Sequence, residues 1–296
     1  MNAREYSMQL APATPQPAPA ARWPSQLDID LQRKDDRTVA HHQHTGGLRV
    51  LAAHYPEGPQ RCHLTLVHPP GGLVGGDAID LHLHAAPHTR ALITTPGASR
   101  YYRSLGSPAV QRTRLHLQAG AQVEWLPLES IAYPGCLGEN RLQFTLESGA
   151  QLLAWDLLAL GLPASGAAFA SGRFTQHLEW PQHWLERGGI DANDAALLRA
   201  PGGLAGHAAQ ATLLLAAGSP LPADQRAALL EAARALAAQQ QSDVWVGATS
   251  PQQHLVLVRG VAARIEPLLQ LWQDIRAAWR QTAWQLPACT PRIWHM

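Results

Sequence analysis

Ten residues, His68-Pro69-Pro70-Gly71-Gly72-Leu73-Val74-Gly75-Gly76-Asp77, put four glycines and two prolines in one loop that ends on a carboxylate. Gly71 and Gly76 have the spacing of the two glycines of a P-loop, which continues with Lys and then Ser or Thr to reach phosphate and magnesium. Asp77 and Ala78 stand at those two positions here. A carboxylate repels phosphate, and alanine cannot ligate magnesium. The G-x-G-x-x-G dinucleotide pattern is not met either, so nucleotide binding is not expected. The glycines call instead for backbone with positive φ, or for close approach of another chain.

Four other groups have side chains suited to chemistry. Among 15 histidines, His41, His42 and His44 lie in an HHQH run, and His82 and His84 share one face of an expected strand. Either group has the donors for a borderline divalent metal such as nickel or zinc; a solvated surface is the favoured reading for both. Arg100 and Arg103, in Thr94–Ser104, are suited to a phosphate or carboxylate, or to internal pairing with Asp77, Glu124 or Glu129. Internal pairing is favoured because the chain has few spare charges. Glu124 and Glu129 flank a strand end in apolar surroundings with no adjacent histidine, which favours a structural or ion-conducting role over acid–base work. No G-x-S-x-G nucleophile motif is present, since Tyr101 follows Pro96-Gly97-Ala98-Ser99-Arg100 where the second glycine would stand. HExxH and EF-hand patterns are absent.

The elements that must position these residues are mostly strands. Leu48–Leu51, Cys62–Val67, Ile79–His84, Ala91–Thr95, Arg114–Leu117, Gln122–Leu126 and Arg141–Leu146 alternate or run apolar between Gly and Pro breakers. Regular structure is expected to start near Trp23–Leu31. Short, evenly spaced strands with little helix between them predict stacked or sandwiched sheets and not βαβ units. Two helices are expected near the C-terminus, over about 223–241 and 265–285, with two strands (243–249 and 254–258) between them. Trp272 and Trp279 in the second helix read as core, with Trp284 and Trp294 as anchors for a partner.

Bulk properties set the limits. The 296 residues, 46% hydrophobic with 10 Trp, are enough for a large core. Lys+Arg at 23 against Asp+Glu at 22 gives no reason to expect nucleic acid or an anionic membrane as partner. Only 15% of residues are charged, which fits either a partner-covered surface or a GC-rich genome's residue usage. Cys62, Cys136 and Cys289 are three, far apart and outside any C-x-x-C pattern, so neither a disulfide framework nor a cysteine zinc site is expected. No secretory leader or transmembrane run is evident, and the chain reads as cytoplasmic. Residues 1–22, rich in Pro and Ala, read as a disordered tail. Residues 23–296 read as one domain, with a β body to about 215 and a helix-containing portion from about 216.

Four motifs then converge. H-P-P-G-G-L-V-G-G-D, T-T-P-G-A-S-R-Y-Y-R-S, E-W-L-P-x-E-x-I and the terminal Pro291-Arg292-Ile293-Trp294 occur in this order. Together they resemble the urease accessory protein UreD family, called UreH in some systems. The resemblance runs from about Trp23 to Trp294. It implies a mainly β, two-layer, β-helix-like body of stacked short strands with a smaller helical C-terminal portion. It implies no enzymatic activity, and a scaffold that binds UreF, through UreF the GTPase UreG, and apo-urease. The UreD–UreF–UreG assembly as a homodimer belongs to the same expectation. No cofactor is expected to be held stably, with nickel at most in transit.

For a nickel route the resemblance points to carboxylates at Asp77, Glu124, Glu129 and Glu186. The alternative for each is pairing with Arg100, Arg103 or Arg187. It marks Pro69, Pro70, Gly71, Gly72, Gly75, Gly76, Arg100, Tyr102, Arg103, Trp125, Arg292 and Trp294 as structural. Two competing readings are a metal-dependent hydrolase using Asp77, Glu124 and a histidine pair, and a stand-alone nickel metallochaperone using His41, His42 and His44.

Overall fold

The computed structural model describes residues 23–240 and 243–295. The expected tail at 1–22 lies outside them, as does the last residue expected of the first helix.

Seventeen strands and three α-helices follow in chain order. The first strands are β1 (Pro24–Lys34), β2 (Arg37–Thr45), β3 (Arg49–Val50), β4 (Arg61–Val67), β5 (Ala78–Ala85) and β6 (Arg90–Thr94). Next come β7 (Ser99–Tyr101), β8 (Ala109–Leu117), β9 (Gln122–Leu126), β10 (Ser130–Ala132), β11 (Leu137–Leu146) and β12 (Gln151–Leu160). Then follow β13 (Arg173–Trp180), β14 (Trp184–Asp191), α1 (Ala195–Arg199) and β15 (Ala209–Ala217). The chain ends with α2 (Ala223–Ala237), β16 (Val244–Gln252), β17 (Leu255–Ala262) and α3 (Ile265–Trp284).

From β4 to β13 the chain coils, laying strands alternately in two stacked sheets. In the first sheet β1, β5, β8, β11 and β13 run parallel, closed at either end by the antiparallel hairpins β1–β2 and β13–β14. In the second sheet β4, β6, β9 and β12 run parallel, and β15, β17 and β16 extend it antiparallel. The short strands β7 and β10 stack beside the end of β12 and form a third face of the coil. The body is thus solenoid-like: the sheets stack, as the short-strand pattern predicts, in the β-helix-like coil that the resemblance implies.

Burial follows which faces are covered. The outer face of the first sheet meets water, so β5 alternates between buried and half-buried residues. The second sheet lies between the first sheet and helices α2 and α3, and nine of the ten residues of β12 are buried. In α3, Leu268, Leu271, Trp272, Ile275 and Trp279 form the apolar stripe against the sheet. Trp272 and Trp279 are therefore core, as expected. The Trp279 indole also donates to the Leu229 carbonyl of α2 at 2.8 Å.

The Gly-rich loop is the first rung of the third face. Leu73 pairs with Tyr101 of β7, its N–H donating to the Arg100 carbonyl at 2.7 Å and its carbonyl accepting from Tyr102 at 2.8 Å. A Cβ on Gly72 would run into the Tyr102 ring and lie 2.9 Å from the Arg100 carbonyl oxygen. Gly71 has φ +78° but open space around it. The neighbour that approaches so closely is the next coil of the same chain.

Gly72→Ala is expected to destabilise by about 1–3 kcal/mol through overpacking. Gly71→Ala should cost about 1–2 kcal/mol through its left-handed backbone alone. Thermal unfolding of Gly72→Ala and of Gly72→Ala combined with Tyr102→Ala distinguishes the two causes: removing the ring should recover part of the loss at Gly72.

Candidate functional site

Three of the four motifs meet at one place. A cavity of about 340 Å³ between the sheets is lined by His68, Pro69, Gly71, Gly72 and Leu73 from the first motif. Thr95–Arg100 of the second and Trp125 and Pro127 of the third complete its wall. Burial lowers the affinity of His68 for a proton, opposed by the Asp77 charge. From this cavity a polar row continues inward. Ser99, Gln111 and Thr113 line both the cavity and a neck of about 10 Å³, room for roughly one water. Ser130, Asn140 and Asp156 complete the neck.

Asp156 is the centre of the row. It is 6% exposed and sits on the inward face of β12, where strand alternation turns its neighbours Trp155 and Leu157 toward the helices. The Asn140 amide donates to it at 2.9 Å, and Gln176 donates to its other oxygen. Gln210 donates in turn to Gln176. Gln176 and Gln210 line a further cavity of about 470 Å³ together with Glu186, Thr212 and Arg259. Burial pushes the Asp156 carboxyl up to about 6, against the lowering effect of its two amide donors.

A second constellation lies on the opposite face of the second sheet. Glu124 is fully buried and points toward α3. Arg276 donates to it at 2.6 Å, Arg61 lies 3.5 Å away, and Arg280 bonds its first oxygen. Arg280 also bridges to Glu57, which holds His63 at 2.7 Å. Burial alone would raise Glu57, but the His63 hydrogen bond and the Arg280 and Arg61 charges outweigh it and hold it below the ordinary carboxylate value. Glu57, His63 and the Cys289 thiol group their donor atoms within 4.8 Å of one another. Arg276 Nη1 reaches the Cys289 carbonyl at 3.0 Å, and Arg280 Nε the Pro287 carbonyl at 3.1 Å, which pins the segment after α3. Trp294 of the fourth motif donates to Thr94 at 2.7 Å and packs at a tilt of 36° against Trp155, with centroids 5.3 Å apart.

The expected carboxylates are not brought together. Asp77 closes its own turn, accepting from the Val74 N–H at 2.9 Å, and has no arginine partner among the described residues. Glu124 belongs to the ion network, with Arg61, Arg276 and Arg280 in place of Arg100 and Arg103. Glu129 is half-buried and raised by burial, with Arg100 near enough to lower it in part. Glu186 lines the cavity of about 470 Å³, which opens to the surface, and is held by Arg259 and, at 2.9 Å, by Thr212. Arg187, its neighbour on the strand, points to the other face.

Arg100 and Arg103 are exposed and form no ion pair among the described residues, which corrects the expected internal pairing. Tyr102 packs edge-on against Tyr133, and Arg292 is exposed. The HHQH run is parted by its strand: His41 pairs with Asp30 on the outer face, while His42 and His44 pair with Ile29 and Leu27 on the other. The structure adds Asp156, Arg276 and Arg280. Asp156 was visible as a lone acid inside an apolar run, and the arginines as an i, i+4 pair continuing the apolar stripe of α3.

A coiled two-sheet body whose marked residues build corners, a polar row and buried ties defines a solenoid-like β protein. The chain belongs to the UreD urease accessory protein family, whose model matches residues 24–295. It is 50% identical over 274 residues to "Urease accessory protein UreD" of Polaromonas naphthalenivorans, covering 93% of this chain and 99% of that protein. The protein of the same name from Leptothrix cholodnii is likewise 50% identical over 274 residues, covering 92% of this chain and 99% of the relative. That of Methylibium petroleiphilum is 44% identical over 292 residues, with 92% and 99% covered. No helix of the described residues is long and apolar enough to cross a membrane.

Glu124→Ala should cost about 3–5 kcal/mol, because three buried guanidiniums lose their shared partner; chemical denaturation measures it. Asp156 gives a pH signature. Its folded-state value lies above its unfolded one, so its contribution favours folding at low pH and is lost as pH rises from about 4 through about 6. Denaturant midpoints of the wild type against Asp156→Asn should differ by a pH-dependent term of roughly 2–3 kcal/mol across that range. A flat difference would remove the buried ionisation from the account.

Proposed function

We propose that this chain is a non-enzymatic scaffold of urease maturation. It binds UreF, reaches the GTPase UreG through UreF, and docks the assembly, as a homodimer, on apo-urease in the cytoplasm. Nickel is cargo and not a resident cofactor. Its route is the polar row from the motif-lined cavity past Asp156 to Glu186.

One observation supports this reading most: three separate motifs close on the mouth of a row of amide, hydroxyl and carboxylate groups inside an otherwise apolar body. Oxygen donors hold nickel loosely enough to release it, whereas a sulfur or multi-histidine site would retain it. Asp156 supplies negative charge where the neck is narrowest. The ion network around Glu124 serves to close the body. Glu124 is therefore withdrawn from the route, and Asp77 acts as a turn cap.

Co-expression with UreF, UreG and apo-urease tests the proposal. The chain should co-elute with UreF as a defined complex on size exclusion with light scattering. Asp156→Asn should keep that complex and lower nickel-dependent urease activation at least severalfold. A soluble monomer that ignores UreF would end the scaffold reading. An Asp156→Asn complex that activates urease fully would end the route through the neck.

A further inference from the structure

The outer face of the first sheet carries a row of ionisable side chains that neither the family assignment nor the proposed route uses. Register places Asp30 of β1, His84 of β5 and His116 of β8 side by side on three successive strands. The His84 and His116 rings are nearly parallel, 13° apart, with centroids separated by 5.4 Å. Both side chains are close to half exposed. His84 turns its Nδ1 toward the Asp30 carboxylate at 3.6 Å. His116 has Nδ1 on the Thr145 hydroxyl at 2.8 Å, and its Nε2 lies 3.6 Å from Glu147.

We infer that His84 and His116 form a surface site for a borderline divalent cation, nickel or zinc, with Glu147 beside it as a third donor. Metal-binding histidines present one ring nitrogen to the ion and are oriented by a carboxylate or other acceptor on the second nitrogen. Asp30 and Thr145 occupy the Nδ1 positions, which leaves the Nε2 atoms of both rings for an ion. Two nitrogens each about 2.0–2.1 Å from one ion stand roughly 3 Å apart. As they stand, the His84, His116 and Glu147 donors do not all lie within 4.8 Å of one another, so ligation requires the half-exposed rings to rotate, a motion on the picosecond-to-nanosecond scale.

Local charge favours a cation. Asp28, Asp30 and Glu147 surround the row, and Arg114 is the cation beside it, bonded to His82 at 2.8 Å. His82 is excluded as a ligand because Asp28 and Arg114 hold both its nitrogens, at 3.1 and 2.8 Å. The Glu57–His63–Cys289 group is the weaker metal site. Arg280 and Arg61 hold its carboxylate, and a dication there would add to three guanidiniums facing two carboxylates.

The test is isothermal titration of the tag-free full chain, or of its UreF complex, with nickel or zinc ions at pH 7.5. The wild type should bind with a component that weakens at least tenfold in both His84→Ala and His116→Ala. That component should survive His82→Ala and the triple His41→Ala/His42→Ala/His44→Ala. Unchanged melting temperatures without metal would show that the variants fold. Binding that persists in both single variants, or that follows the triple variant, overturns the site. Urease activation need not change, so the result stands apart from the proposed route.

Discussion

The buried carboxylate of Glu124 is the constraint around which the rest of the chain is arranged. An ionised group out of water is strongly penalised unless its charge and its lone pairs are answered. Three guanidiniums answer it, from β4 and from two consecutive turns of α3. Because those arginines also hold the Pro287 and Cys289 carbonyls, one acid ties a central strand, the longest helix and the C-terminal segment into a single unit. Removing either side leaves uncompensated charge in the interior. This explains why the helix stripe can carry Arg276 and Arg280 at positions where an apolar side chain would be the ordinary choice.

Two polar systems therefore share the second sheet, one on each face. Strand alternation separates them: Glu124 points to the helices, and Asp156, three positions beyond Glu124's partner Leu153 on the neighbouring strand β12, points to the sheet interior. The first system is saturated with partners and fixes structure. The second is a row of amides and hydroxyls around one acid of raised pKa. A group of that kind suits transient contact with an ion better than permanent pairing. The motifs obey the same division. The Gly-rich loop and the segments at Thr95 and Trp125 build the cavity mouth, while Trp294 backs the sheet against Trp155.

Much of this was legible in the sequence. Strands such as β5 and β9 declare themselves by period-two alternation because one face of each meets a different environment. Strands β12 and β15 are mostly apolar and covered on both sides, and such runs do not distinguish strand from buried helix. The HHQH run looks like a cluster in one dimension and is divided by the pleat in three. Family resemblance pointed to Glu124 and Glu186 as route carboxylates, but the arginines that hold them could not be read from the sequence. Arg276 and Arg280 lie 152 and 156 residues from Glu124, and Arg259 lies 73 from Glu186, distances over which no local pattern operates.

That separation has a consequence for how the protein comes into being. On the ribosome, the coiled body emerges first, and its parallel strands can stack coil by coil as they appear. Glu124 then waits, with Arg61 alone, until the last helix is synthesised. The nascent body is left with the Glu124 carboxylate only partly answered on its second sheet, at the place that α3 will cover. Completion of this clasp thus waits on synthesis of α3: a chain cut short before Arg276 has the coiled body and lacks the two arginines that answer Glu124 from the helix.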